Sequence, residues 1–143
     1  MPAFLSRLLR RIFGWAVPIN PPVYACADEG QAIDAAAKTA AERPGRTLHE
    51  VAPTGSMVPL IPKARCYLVT EAIPFESIRL GMVATYSAAW HPGTPLVHRL
   101  VARDKLGYIA SGDANKHTES FDRVTPANFM GEVVGIWTFP PKV

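Results

Sequence analysis

The chain has no run of about 20 predominantly apolar residues, the length a membrane-spanning helix requires, so no spanning helix is expected. It is poor in cysteine: Cys26 and Cys66 are the only two among 143 residues, and neither sits in a nucleophile or metal signature. They could pair in an oxidising compartment, but their spacing does not decide it. There is no Cys-x-x-Cys or His-Glu-x-x-His pattern, and His49, His91 and His117 lie in unrelated contexts, so no metal and no cofactor is expected. Blocks of Lys/Arg interleaved with aromatics are also missing. A formal charge of +3 and a pI near 9.1 therefore make the chain mildly basic without giving it a nucleic-acid face.

What is present divides at about residue 45. Residues 1–45 read as an N-terminal helical appendage. Within it, Phe4 to Val17 places apolar residues at helical spacing around Arg7, Arg10 and Arg11, and Pro18 stops the pattern. Such a segment fits a peripheral membrane contact through residues 4–17 or, equally, a short helix docked on its own domain or on a partner. The chain is expected to be soluble or peripherally held at a membrane. Asp28 to Glu42 reads as an alanine-rich helix capped by Asp28 and ended by Arg43-Pro44-Gly45.

Residues 46–143 carry the signals of short strands. Leu48–Ala52, Arg65–Ile73, Met82–Tyr86, Leu96–Arg103, Leu106–Ala110 and Met130–Phe139 are the expected runs, with a hairpin through Asp104-Lys105. The 14 prolines leave little room for long helices. The expected fold is small and mostly β, large enough for a real core.

The chemistry lies in three ordered motifs. Thr54-Gly55-Ser56-Met57-Val58-Pro59 puts a serine on a bend that Gly55 allows and Pro59 stiffens. Val97-His98-Arg99 follows, then Gly112-Asp113-Ala114-Asn115, with a further acid at Asp122. A serine hydroxyl is a weak nucleophile at neutral pH, so a hydrolase needs a base beside it and a third group to orient that base. Ser56, His98 and either Asp113 or Asp122 supply that set. The Ser56 N–H and the Thr54 hydroxyl are the local candidates to stabilise an oxyanion. Each residue alone has a plain structural reading: a turn serine, a strand histidine, turn-shaping aspartates. Their conjunction in this order points to a serine protease.

These motifs resemble the signal peptidase I family of serine endopeptidases, over roughly residues 47 to 138. The match to its histidine-base branch, found in the endoplasmic reticulum, archaea and sporulation, rests on His98-Arg99 where the bacterial branch has Lys-Arg. Where the family has Gly-Asp opening a central strand, this chain has Gly81-Met82. The resemblance implies a coiled, partly open β-barrel fold shared with repressor-cleaving peptidases. It also implies cleavage after small residues at an Ala-x-Ala-like site through a Ser-His-Asp mechanism and an acyl-enzyme. Asp122 is favoured over Asp113 for orienting His98, and Asp113 is given the shaping of the site. Gly55, Met57, Pro59, Arg99, Gly112 and Asn115 complete the motifs that would position substrate.

A histidine base titrating near pH ~6.5 should give activity that falls on the acid side. Ala25-Cys26-Ala27 itself imitates a signal peptidase site, but the apolar stretch before it is short and broken by proline, so self-processing after Ala27 is a minor alternative that intact mass would check; Tyr24 disfavours a lipoprotein reading of Cys26. Two rivals stay open. One is a self-cleaving repressor-type peptidase, although no Ala-Gly or Cys-Gly bond precedes Ser56. The other is a non-catalytic binding or assembly module on the same fold.

Overall fold

Runs rich in β-branched and aromatic residues, broken by proline and glycine, commit most of this chain to strands. The computed structural model describes residues 16–50, 55–89, 91–114 and 123–142. In chain order they form β1 (Val23–Ala25), α1 (Glu29–Ala41), β2 (Arg46–Glu50), β3 (Cys66–Glu71), a 3-10 turn (Phe75–Ser77), β4 (Val83–Ala88), β5 (His91–Asp104), β6 (Gly107–Ser111), β7 (Arg123–Val124) and β8 (Phe129–Thr138). The strands make one open sheet in the order β2-β3-β8-β4-β5-β6-β7. Every pairing along this path is antiparallel; β1 lies off it, parallel to β8.

β3 explains the layering. Cys66 through Thr70 are all buried, because both faces of the strand are covered. Tyr67 and Val69 point to one side and pack with Ala32, Ala36 and Trp137; Cys66 and Leu68 point to the other and pack with Met57, Ile61, Val83 and Ile136. Complete burial of a side chain such as Val69 or Leu68 contributes roughly 1.5–3 kcal/mol. A third cluster gathers Met82, Ala84, Tyr86, Leu100, Tyr108 and Val124 from β4 to β7 and the turn before them. Burial pushes the Cys66 thiol up to about 11, which leaves it a poor nucleophile.

Helix α1 follows from its ends and its small face. The Asp28 carboxylate accepts from Gln31 N (2.8 Å), and the Gln31 side chain accepts in return from Ala27 N (2.6 Å), a reciprocal cap on the first turn. Ala32 and Ala36 are fully buried, so the helix can lie close to the rings of Tyr67 and Trp137. Tyr67 Oη donates to Glu29 Oε1 (2.8 Å), tying the start of the helix to β3 and holding the phenol up at about 12. Helix α1 thus shares its packing with the sheet that follows.

Strand limits differ from expectation where proline misleads. β5 begins at His91, although Pro92, Gly93 and Pro95 argue for a start at Leu96. The β5–β6 hairpin turns through Lys105-Leu106, with Asp104 paired to Gly107 and the Asp104 carboxylate accepting from Leu106 N (2.9 Å). β1 was not expected. The bond after Ala27 lies between this strand and the cap of α1, with Cys26 N held by Thr138 O (2.8 Å). Cleavage there requires peeling β1 from β8. No helix among the described residues is long and apolar enough to cross a membrane, and residues 4–15 of the basic segment lie outside them.

Residues 16–20 form a strap over the start of β4. Ala16 N donates to Val101 O and Ile19 N to Gly81 O, each at 2.9 Å. Gly81 has φ +96°, and a Cβ there would fall on the Val17 carbonyl oxygen. Gly81→Ala is expected to cost about 1–3 kcal/mol from the strained backbone, and more if the strap lifts away. Urea unfolding of the variant measures this; a change below about 0.5 kcal/mol would mean that the strap does not bear on Gly81.

Candidate active site

His98 and Arg99 are neighbours on β5, and alternation along a strand sends their side chains to opposite faces. Both are buried, His98 at 6 % exposure and Arg99 at 1 %. Each therefore needs partners, since a buried polar group without one is costly.

Arg99 finds its partners in a fork. Its Nε donates to Asp113 Oδ1 and its Nη2 to Asp113 Oδ2, both at 2.8 Å, a bidentate pair. The remaining donors reach Gly81 O (2.7 Å), Asn20 Oδ1 (2.8 Å) and Ile19 O (3.3 Å). The register accounts for the pair. Arg99 lies opposite Ser111 on β6, and Asp113 stands two residues further along, on the same face. Gly112, between them, is buried.

The serine segment is fastened to this pair. Gly55 adopts φ +72°, a left-handed conformation that turns the chain into Ser56. Ser56 is half-buried, its carbonyl accepts from Ala114 N (2.9 Å), and Met57 O accepts from Ile61 N (2.9 Å) across a turn containing the cis Val58–Pro59 peptide. Met57, 3 % exposed, plugs into the cluster with Val83 and Leu68, and its Sδ accepts from Asp113 N (3.4 Å). The serine and Gly-Asp motifs thus meet on the Arg99 face of β5, with the Ser56 carbonyl on Ala114 N and Asp113 on Arg99, while the side chain of His98 points from the opposite face. Thr54, Asn115 and Asp122 lie outside the described residues.

On the other face of β5, the His98 Nδ1 is in hydrogen-bond contact with Tyr86 Oη at 2.8 Å. Tyr86 is fully buried and was not singled out from sequence. Its place was legible in principle, because strands at Met82–Tyr86 and Leu96–Arg103 pairing antiparallel can bring a tyrosine onto the histidine's face. Asn20 and the Gly81 carbonyl, which complete the Arg99 fork, carried no local signal.

Elsewhere, His49 Nε2 meets Thr70 Oγ1 at 3.0 Å, and burial lowers its pKa, favouring the neutral ring. No group of three His, Cys, Asp or Glu side chains among the described residues is placed to hold a metal ion. Met82, where the resembled family has an aspartate, is 1 % exposed and packs in the β4–β7 cluster. Comparison of the chain with protein-family models, with curated proteins and with solved structures yields no match.

Proposed function

We propose that this chain is a serine endopeptidase of signal-peptidase type, with a coiled, partly open β fold of that kind, cleaving peptides after small residues. The observation that carries the reading is the meeting of the serine and Gly-Asp motifs, in which the Ser56 carbonyl binds Ala114 N while the adjacent Asp113 grips Arg99, the residue next to His98 on β5. A bidentate arginine at the centre of that junction gives the serine and histidine segments a fixed relation, which acyl transfer demands of a nucleophile and its base.

Ser56 Oγ attacks the scissile carbonyl while His98 takes its proton, and the proton then passes to the departing amine. Water hydrolyses the resulting acyl-enzyme by the same steps in reverse. The Ser56 N–H and the Thr54 hydroxyl are proposed to stabilise the oxyanion. Asp113, with both oxygens on Arg99, serves as a brace, and Asp122 remains a candidate to contact the histidine. The substrate is an extended peptide with alanine-like residues before the cut, and the basic segment ahead of the docked strap at residues 16–20 is proposed to touch a membrane surface.

The test is cleavage of peptides bearing an Ala-x-Ala site, followed by mass spectrometry and across pH 5 to 9. The expected result is a cut after the second alanine, with a rate that falls on the acid side as His98 takes up a proton. A folded chain that cuts nothing across a broad peptide set would replace this reading with that of a binding module.

A further inference from the structure

A histidine acts as a base through one ring nitrogen while the other is held, and the hydrogen bond at the held nitrogen decides which carries the proton. In the signal-peptidase reading, an aspartate does the holding. Asp113 is committed to Arg99 through both carboxylate oxygens, on the face of β5 opposite His98. The group found at His98 Nδ1 is the Tyr86 hydroxyl.

Three features make this contact a built one. Ala84 is paired directly with His98 and Tyr86 with Leu96, so Tyr86 and His98 are diagonal neighbours on one face, within reach of an aromatic side chain. The register of β4 slips around that residue: between Thr85 and Tyr86 against β8, and between Tyr86 and Ala88 against β5. Such irregularities bend a strand and re-aim its side chains. The Tyr86 side chain is 0 % exposed, in one buried cluster with Ile78, Met82 and Leu100, and its ring stands 6.0 Å from the imidazole, centroid to centroid.

We infer that Tyr86 is a positioning residue for His98, accepting a hydrogen bond from Nδ1–H and so presenting an unprotonated Nε2 to the serine. This rests on the Ser56–His98 reading above. A phenol hydroxyl can donate to Nδ1 or accept from it, but only accepting leaves Nε2 able to take a proton. As a neutral oxygen it steadies the imidazolium less than a carboxylate does. Its loss therefore costs less than the roughly 10,000-fold seen when an orienting aspartate is neutralised.

The experiment is long-range 1H–15N correlation NMR of the imidazole rings of the whole chain, with His98 assigned through a His98→Gln variant, alongside peptide cleavage. The wild type should show Nδ1 protonated and Nε2 bare. In Tyr86→Phe, which keeps the ring, His98 should move toward the Nε2–H tautomer, and kcat should fall on the order of 10- to 100-fold with KM within about twofold. An Nε2–H tautomer in the wild type overturns the inference, and this arm stands even if the Tyr86→Phe chain does not fold. Cleavage by a wild type whose His98 ring is unmoved by Tyr86→Phe overturns the positioning role alone. An Nδ1–H ring that depends on Tyr86, in a wild type that cleaves nothing, overturns the enzyme reading and the catalytic role of Tyr86 with it.

Discussion

Ser56→Ala is expected to abolish the proposed peptide cleavage, with kcat falling roughly 10⁴- to 10⁶-fold, while the fold stays intact. The substitution removes one hydroxyl from a half-buried position and leaves the backbone carbonyl that binds Ala114 N untouched. Its cost in stability should stay within about 1 kcal/mol, the net worth of a single hydrogen bond. His98→Ala should be similarly inactive, and the double variant little worse than either single one. Groups that act as a unit in one proton transfer lose their whole contribution when the first is removed. Steady-state kinetics on an Ala-x-Ala peptide, with circular dichroism of every variant, decides the matter. A Ser56→Ala chain retaining more than a tenth of wild-type activity would remove Ser56 from the role of nucleophile.

Arg99→Met should produce the largest loss of stability of any single change at the site, about 3–5 kcal/mol. Methionine fills much of the same volume, so the loss is electrostatic rather than a cavity. A guanidinium has five N–H donors, and the five contacts of Arg99 reach Asp113, Gly81, Asn20 and Ile19. Its removal strands the Asp113 carboxylate, only 15 % exposed, without its cation. Against a total stability of about 5–15 kcal/mol for a typical domain, that is enough to lower the melting temperature by roughly 10 °C or more. Arg99→Lys keeps the charge but cannot reproduce the planar fork, so it should fall between the two. Removing both partners, as Arg99→Met with Asp113→Leu, should recover part of the loss, because the stranded charge goes too. Urea titration of the four chains gives each value, and an Arg99→Met cost below about 1 kcal/mol would show that the pair does not hold the junction together.

Much of the architecture was legible where local chemistry and tertiary packing agree. Helix α1 announced itself through Asp28, its alanines and the Arg43-Pro44-Gly45 stop, and formed within one residue of the expected ends. The mostly-β class followed from short apolar runs. β1 was hidden because its three residues, Val23 to Ala25, are exposed and owe their extended form to the edge of β8 rather than to any pattern of their own. The early start of β5 was hidden by its prolines. At the site, the Arg99–Asp113 pair connects two recognisable motifs, yet nothing in a linear reading says that both aspartate oxygens are taken. Tyr86 could be read only by pairing two expected strands: its contact with His98 depends on the register of β4 against β5, and register is a property of two strands at once.

The place of β8 has a consequence for how the chain acquires its fold. This strand, last among the described residues, sits between β3 and β4 and also carries β1, so it joins β2-β3 to β4-β5-β6-β7 and takes in the N-terminal strand. Until Phe129–Thr138 has been synthesised, the growing chain can hold two separate ribbons but no continuous sheet. Pairings between such distant parts of the chain close slowly, because large loops must be ordered before any contact rewards them. Assembly of the sheet is therefore expected to be concerted, with β8 threading between two waiting halves that share no pairing until it arrives.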